Sequence, residues 1–214
     1  MSLRRLASVV ALTVVSVVLS ACGSAAPAVT TAVPVVLPAA SVVVRAAPMP
    51  GAVATVPRAP AYGLGDSVML GSRTLLTGHR IPVNAVVSRQ FSAAPGLVAA
   101  WKRAGGLRRN LVIHLGTNGT IAGKDCRSVV TIAGPTRRVF LLTVHAKRSW
   151  TAQANRAIRA CAALYGPSRV IVLDWDALAR AHPAWLSADG IHPNSTGRRN
   201  YTALIVNGIA RYGV

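Results

Sequence analysis

From residue 61 onward, short runs of apolar residues alternate with longer segments whose apolar positions recur at helical spacing. The short runs predict five strands, over residues 61–64, 81–87, 111–115, 139–144 and 170–173. The longer segments predict helices over residues 68–77, 93–104, 123–132, 151–164 and 195–211. Near-continuous apolar strands between amphipathic helices are typical of a parallel sheet that is covered on both faces. The pattern therefore predicts an α/β fold, a three-layer α/β/α sandwich around a five-stranded parallel sheet.

The start of the chain has the pattern of an export signal. Arg4 and Arg5 precede an uncharged apolar stretch over residues 7–19, which is shorter than the roughly 20 residues that cross a bilayer. Residues 19–23 read Leu-Ser-Ala-Cys-Gly and resemble a bacterial lipobox, in which the cysteine is diacylated. We therefore expect an exported lipoprotein, lipidated at Cys22 and anchored to the outer face of the bacterial cytoplasmic membrane. The alternative is an ordinary signal peptide cut nearby, with Cys22 incidental.

These patterns divide the chain into three parts. Residues 1–21 form the predicted lipoprotein signal peptide, and residues 61–214 form the predicted catalytic domain. Between them, residues 22–60 are rich in Ala, Val and Pro, and the prolines disfavour a continuous helix. We expect this stretch to be an extended tether. Its valine-rich patches at 35–37 and 42–44 leave packing against the folded domain open.

The excess of basic residues in the chain limits the kinds of partner that it would bind. The 214 residues contain 24 Lys and Arg but only 5 Asp and no Glu, and all but four of the basic residues lie beyond residue 60. For an exported protein, the anionic partners would be wall polymers and phospholipid head groups, and nucleic acid is not expected. The alternative is a basic surface that is merely solvated. So few carboxylates also disfavour a Ca²⁺ or Mg²⁺ site, and no cofactor is expected.

The chain has three cysteines, and two of them lie in the predicted catalytic domain. If Cys22 is lipidated, Cys126 and Cys161 remain, each within a predicted helix. In an oxidising compartment such a pair favours a disulfide. Two independent buried thiols are the alternative, and the spacing does not fit a metal site.

Polar residues that suit acyl transfer follow three of the predicted structural boundaries. Residues 65–67, Gly-Asp-Ser, come directly after the first strand and before a helix, whose N-terminus favours negative charge. Asn118 follows the third strand, where a side-chain amide can donate to an oxyanion. Asp189 and His192 share one loop, where the carboxylate can orient the imidazole. Each motif alone is an ordinary turn. Since sites of parallel sheets lie beyond the carboxyl ends of the strands, the set predicts a serine hydrolase.

The order and placement of these motifs resemble the SGNH/GDSL hydrolase superfamily over essentially residues 61–214. Within it, the chain resembles most the extracellular catalytic domains of peptidoglycan O-acetyltransferases. Five stretches carry this likeness: 65–71, 87–91, 113–119, 174–177 and 182–192.

The resemblance implies a flavodoxin-like sandwich and assigns roles to individual residues. Ser67 would be the nucleophile, His192 the general base and then acid, and Asp189 its orienting carboxylate. The Ser67 N–H and the Asn118 amide would stabilise the oxyanion. The family usually has a glycine after the second strand, and Ser88 stands roughly in its place as the third donor. A serine N–H can donate equally well unless the backbone there requires a positive φ.

Further residues near this edge have weaker expectations. Arg89 and Gln90 follow the second strand and could bind a substrate carboxylate or sugar, the alternative being a solvated loop. Asp66 is expected to accept hydrogen bonds within the nucleophile turn. Asp174 and Asp176 are expected to fix a loop or cap a helix. Contact with substrate is left open for three residues on nearby loops: His145, Trp150 and His182.

The leading hypothesis is a lipid-anchored serine esterase or acyltransferase that acts on O-acyl esters of cell-wall glycan, O-acetyl esters above all. An acyl-enzyme would form, and water or a carbohydrate hydroxyl would complete the reaction. Fused O-acetyltransferases contain a membrane domain that supplies the acyl group, so a transferase of this kind would need a separate membrane acyl-donor protein. Two alternatives are a non-catalytic basic wall-binding lipoprotein on the same scaffold and an esterase of lipid esters.

Overall fold

A computed structural model describes residues 43–44 and 60–214 of this protein. The predicted signal peptide, Cys22 and most of the predicted tether lie outside the described residues. Within the described part of the chain, no helix combines the length and the apolar character that crossing a membrane requires.

The sheet is parallel throughout and contains six strands among the described residues. Its spatial order is β1-β6-β5-β4-β2-β3. The strand bounds are β1 Val43–Val44, β2 Ala61–Gly65, β3 Val83–Ala85, β4 Asn110–His114, β5 Arg138–Leu142 and β6 Val170–Leu173. The predicted five-stranded parallel sheet is confirmed in β2 to β6. The sixth strand is two residues of the tether, which pair with Val172 and Leu173 at the edge of the sheet.

Seven α-helices cover the sheet within the described residues. Their bounds are α1 Ser67–Gly71, α2 Arg73–Gly78, α3 Ala94–Arg103, α4 Gly123–Ala133, α5 Thr151–Tyr165, α6 Trp175–Ala181 and α7 Ser195–Tyr212, with 3-10 turns at Phe91–Ala93 and Pro183–Trp185. The helix predicted over 68–77 is divided, because Ser72 has φ −104° and ψ 7° and ends α1. The helix α6 was missed, since seven residues are too few to display a helical period.

The core has two apolar layers, one on each face of the sheet. On one face, Leu111 and Ile113 of β4 pack in a cluster with residues of α3, α4 and α5. On the other face, Val112 and Phe140 pack with residues of α1, α2, α6 and α7. Successive residues of β4 thus serve opposite layers, as a strand buried on both faces requires. This confirms the predicted three-layer sandwich.

A disulfide joins two neighbouring helices of the first layer. Cys126 of α4 and Cys161 of α5 are bonded, with their Cα atoms 6.3 Å apart. Both cysteines are buried, and they belong to the same apolar cluster. The bridge therefore ties α4 to α5 within the core and not at the surface.

The pairing of β2 with β4 brings two of the predicted site segments together. Gly65 and His114, the last residues of these strands, are register partners. The Asp66 N–H continues the ladder by donating to the His114 carbonyl over 3.2 Å. The Gly-Asp-Ser turn and the loop that contains Asn118 therefore leave the sheet side by side.

Candidate active site

The nucleophile turn is shaped by Gly65 and Asp66. A Cβ atom at Gly65 would collide with the Met69 side chain, so close packing of α1 on β2 requires glycine there. Asp66 is fully buried, and its Oδ1 accepts the Val68 N–H over 3.0 Å, which caps α1. This agrees with the structural role expected for Asp66. Ser67 is thereby the first residue of α1.

Three predicted residues form a continuous hydrogen-bonded chain. His192 Nδ1 lies 2.6 Å from Asp189 Oδ2, and His192 Nε2 lies 2.9 Å from Ser67 Oγ. A carboxylate only accepts, so Nδ1 carries the proton and Nε2 is free to accept from the Ser67 hydroxyl. The arrangement can transfer a proton from serine to imidazole as the serine attacks.

The loop that contains Asp189 and His192 also holds the Asp189 carboxylate in place through its own backbone. Asp189 Oδ1 accepts the N–H groups of Ile191 at 2.8 Å and His192 at 3.0 Å. Gly190, which directly follows Asp189, turns the chain with φ +67°, a conformation that favours glycine. The His192 side chain and then the two backbone N–H groups lower the pKa of Asp189 to about 2. This carboxylate is half-exposed, and it is ionised at neutral pH.

Asn194 joins this loop to α7, and the sequence analysis did not identify it. Its Oδ1 accepts the N–H groups of Thr196 and Gly197, both over 3.1 Å, and so caps the helix. Its Nδ2 donates to the carbonyls of Ala184 at 2.8 Å and Leu186 at 3.2 Å. One side chain thus fixes both sides of the loop that contains Asp189 and His192. An asparagine directly before a predicted helix was the available signal.

An open cleft of about 350 Å³ lies over the serine. It is lined by Ser67, Ser88, Gln90, Thr117, Asn118, Arg148, Trp150, Ile191 and His192. The predicted triad serine and histidine and the predicted oxyanion residues thus share one cleft. Arg148 was not identified from the sequence. Its position two residues before Trp150, in a basic loop after a strand, was the available signal.

The predicted oxyanion residues differ in how they are held. Asn118 Nδ2 donates one hydrogen to the Arg89 carbonyl in a long contact of 3.4 Å. The second hydrogen of the Asn118 amide does not take part in that bond. Ser88 has φ +62°, the left-handed conformation that glycine adopts without steric cost. The condition stated for this position is therefore met, because the backbone has a positive φ where the family usually has glycine, and the Ser88 N–H as third donor stays a prediction.

Arg89 and Gln90 were both expected to bind substrate, and only Gln90 is exposed and lines the cleft. The Arg89 guanidinium donates to the Gly65 carbonyl at 3.2 Å and to both Asn84 oxygens, the carbonyl at 2.7 Å and Oδ1 at 2.9 Å. Burial lowers the pKa of Arg89, and the charge of Asp66 partly offsets this. Arg89 therefore braces the end of β2 and is not free to bind a substrate carboxylate.

The pair Asp174 and Asp176 anchors the loops beside the cleft. Asp174 caps α6 through the Ala177 N–H, at 3.3 Å, as was expected of a capping residue. Asp176 lies 2.8 Å from His145 Nδ1 and 2.7 Å from Arg180 Nη2. Burial alone would raise the pKa of Asp176, but the hydrogen bonds and charges of His145 and Arg180 outweigh it and leave that pKa lowered.

A buried polar cluster lies beneath the nucleophile turn. His114 Nδ1 is 2.9 Å from the Tyr201 hydroxyl, and both side chains are fully buried. Burial lowers the pKa of His114, with a partial offset from Asp66, and raises that of Tyr201 well above its ordinary value. His114 is therefore neutral at neutral pH, and it is both buried and hydrogen-bonded. Among the described residues, no three His, Cys, Asp or Glu side chains are grouped as a metal ion would require.

Comparison with known proteins supports the same fold. No protein-family model matches the chain. It is similar to YrhL of Bacillus subtilis, a proposed peptidoglycan O-acetyltransferase, with 28% identity over 145 residues. That stretch is 67% of this chain but 22% of the relative, so the chain spans much less than the whole relative.

Two solved structures have a similar architecture. The C-terminal catalytic domain of peptidoglycan O-acetyltransferase A (OatA) from Streptococcus pneumoniae matches with a TM-score of 0.63 and 23% identity, over 72% of this chain and 94% of that one. A carbohydrate esterase of family 3 from Talaromyces cellulolyticus matches with a TM-score of 0.53 and 17% identity, over 71% of this chain and 96% of that one. The chain thus has the SGNH hydrolase fold and is homologous to the part of the peptidoglycan O-acetyltransferases that it matches.

Proposed function

We propose that this protein is a serine O-acetyl esterase or acetyltransferase of cell-wall glycan, exported and held at the membrane by a lipid on Cys22. The observation that carries the chemistry is the hydrogen-bonded chain from Ser67 Oγ through His192 to Asp189, with distances of 2.9 and 2.6 Å. The glycan substrate is supported by the likeness to the peptidoglycan O-acetyltransferases.

In the first half of the reaction, Ser67 Oγ attacks the carbonyl carbon of the acetyl ester while its proton moves to His192 Nε2. The ionised Asp189 stabilises the imidazolium that forms. The developing oxyanion would accept the Ser67 N–H and the Asn118 amide, and the Ser88 N–H is the proposed third donor. When the tetrahedral intermediate collapses, His192 returns the proton to the leaving alcohol, and an acetyl-serine remains.

In the second half, a water or sugar hydroxyl attacks the acetyl-serine, and His192 accepts its proton before returning it to Ser67 Oγ. Water gives an esterase, and a sugar hydroxyl gives a transferase. The same residues serve both outcomes. The cleft is open to solvent, which favours hydrolysis as the activity that a purified protein displays, whereas transfer would depend on a separate membrane acyl-donor protein.

The test uses the full chain, wild type and Ser67→Ala, with an aryl acetate in the presence and absence of a chito-oligosaccharide. We expect wild type to release acetate and Ser67→Ala to lose at least about 1000-fold in kcat, because the residual rate without a nucleophile is small. Acetylated sugar would assign transfer, and free acetate alone would assign hydrolysis. Equal rates for the two proteins would contradict Ser67 as the nucleophile.

A further inference from the structure

We infer that the edge of the sheet opposite the cleft is a docking face for the surface of an anionic lipid bilayer. This face, the basic edge, consists of six arginines at or within three residues of the amino ends of β3 to β6: Arg80, Arg108, Arg109, Arg137, Arg138 and Arg169. The inference rests on the membrane location in the proposed function and does not depend on the proposed chemistry.

The parallel sheet brings these arginines together. Because the strands of the described sheet all run in the same direction, their amino ends lie at one edge and the cleft lies at the other. Arg108 Nη1 donates to the Arg80 carbonyl at 3.3 Å, and the Arg138 N–H donates to the Arg109 carbonyl at 3.0 Å. Arg169 directly precedes β6, which pairs with β5. The six arginines therefore form a continuous strip along the amino edge.

The charges of this strip are not neutralised within the protein. Several of its members donate to main-chain carbonyls, as Arg137 does to Ala133 at 3.0 Å and Arg169 to Gly134 at 2.8 Å. Such acceptors lie at helix ends and carry no formal charge. The five acidic residues of the chain lie beyond the carboxyl ends of strands, on the side of the cleft: Asp66, Asp125, Asp174, Asp176 and Asp189. Within the described residues, the basic edge therefore contains no Asp or Glu side chain.

Helix capping does not explain the most exposed arginines at this edge. Arg80 and Arg109 are exposed, as is Arg103 at the end of α3. The side chains of these three donate no hydrogen bond to the residues that the structure describes. An unpaired guanidinium on a surface without carboxylates attracts anions, and phosphate oxygens match its geometry. The basic edge is therefore open to an external polyanion.

The path of the chain favours a bilayer as that polyanion. Strand β1 runs parallel to β6, with Val43 opposite Val172, so the chain reaches β1 from the amino edge. Cys22, the proposed site of lipidation, lies in the part of the sequence before Val43. The segment that would lead from the membrane therefore joins the fold at the basic edge. Anionic head groups attract basic residues close to a bilayer, so the lipid and the basic edge would bind the same surface.

Docking of this edge fixes the direction in which the site faces. Ser67 follows the carboxyl end of β2, and strands of five residues such as β2 and β4 span about 15 Å. A bilayer at the basic edge therefore leaves the cleft open on the far side of the sheet. A lipid alone does not impose this orientation, because it attaches the chain at one point.

The test measures how the full chain partitions onto vesicles of phosphatidylcholine, with and without phosphatidylglycerol. A lipid or an apolar N-terminus contributes similarly to both kinds of vesicle, so the ratio of the two partition coefficients reports the contribution of charge. We expect wild type to prefer the anionic vesicles. The variant Arg80→Gln/Arg103→Gln/Arg109→Gln should lower the ratio by about 100-fold, since each basic residue near the surface contributes about fivefold. Added salt should weaken the wild-type preference.

The matched control removes three exposed basic residues from the first halves of α4, α5 and α7, on the side of the cleft: Lys124→Gln/Arg156→Gln/Arg199→Gln. The change in net charge is the same. We expect this control to retain most of the preference, because charges more than about 10 Å from the bilayer are largely screened. Circular dichroism establishes that both triple variants are folded. Equal losses in the two would overturn the inference, because net charge and not the basic edge would then drive binding.

A soluble poly(glycerol phosphate) separates a bilayer from an anionic wall polymer. If the Arg80→Gln/Arg103→Gln/Arg109→Gln variant loses affinity for the polymer but keeps its preference for anionic vesicles, the basic edge binds a polymer and the inference is wrong.

Hydrolysis of an aryl acetate by the same proteins separates the docking face from the proposed activity. We expect the basic-edge variant to keep the wild-type kcat, because its substitutions lie at the edge opposite Ser67. Equal partition of wild type onto both kinds of vesicle would refute the docking face, even in a protein that hydrolyses esters.

Discussion

At the residue scale, the cleft contains a serine in a conformation that serine rarely adopts. Ser88 has φ +62°, is exposed, and lies on the loop where the related enzymes are expected to have glycine. A left-handed conformation costs a residue with a Cβ atom about 1–2 kcal/mol. Glycine does not have this cost, but it loses more backbone entropy on folding, which costs about 0.5–1 kcal/mol. The backbone at Ser88 is therefore maintained by its surroundings and not by its own preference.

We predict that Ser88→Gly leaves the free energy of unfolding unchanged or raises it by up to about 1 kcal/mol, and that Ser88→Val lowers it by about 1–2 kcal/mol. β-Branched side chains are the least compatible with a positive φ. Denaturant unfolding of the full-length variants measures both. The control is Ser92→Gly in the exposed 3-10 turn, which should be destabilising. A Ser88→Gly protein less stable than wild type would contradict the argument.

At the element scale, the disulfide between α4 and α5 is the covalent link within one helical layer. The bonded cysteines are 35 residues apart, so the bond restricts the unfolded chain by closing a long loop. The packing of the two helices does not depend on it alone, because residues of both helices belong to the same apolar cluster. The bond therefore adds stability to a layer that already packs.

We predict that Cys126→Ala with Cys161→Ala lowers the free energy of unfolding by about 3–4 kcal/mol, the loop entropy for this separation. Circular dichroism should still report the native helix content. Reductant should have the same effect on wild type and no further effect on the double variant, and Cys22→Ala serves as the control. Wild type that is indifferent to reductant would show that the bond contributes nothing.

At the scale of the whole molecule, the buried His114 links folding to pH. Its pKa is lowered by burial, so the folded state resists a proton that the unfolded chain accepts. Stability is therefore fully present above the ordinary histidine pKa and falls as pH decreases below it. The hydroxyl of Tyr201, a residue of α7, lies 2.9 Å from His114 Nδ1 and is the hydrogen-bond partner of the buried histidine.

We predict that wild type loses stability as the pH falls below about 6.5, by at most about 1.4 kcal/mol per pH unit from this one group, because the unfolded chain binds a proton that the buried histidine resists. His114→Asn should remove that slope. Tyr201→Phe should lose stability at neutral pH but keep the slope, since the histidine remains buried. Unfolding curves at intervals from pH 7.5 to 5 measure all three proteins. An unchanged slope in His114→Asn would contradict the assignment.

Much of the fold was predictable because it rests on local pattern. Strand β6 is a continuous apolar run, β4 has three apolar residues at its centre, and helices α4, α5 and α7 have the predicted positions to within one or two residues. The site motifs were recognisable for a similar reason, since each occupies a few consecutive residues at the end of a strand or before a helix. Two short features were not predicted, the seven-residue helix α6 and the break at Ser72 that ends α1, because both depend on particular caps and packing.

Sequence alone determined the order of elements, the parallel sheet and which side chains are able to perform acyl transfer, because these depend on hydrophobic period and residue type. The tertiary structure decided which of them meet. It brought His192 to Ser67 across 125 residues of chain, turned Arg89 onto Gly65 and Asn84, and set Arg148 in the cleft. The contacts of His192 with Ser67 and of Arg89 with Gly65 join segments far apart in the chain, so no local spacing predicts them. The positive φ of Ser88 belongs with them, because it is imposed by the packing around the loop and not by the residue itself.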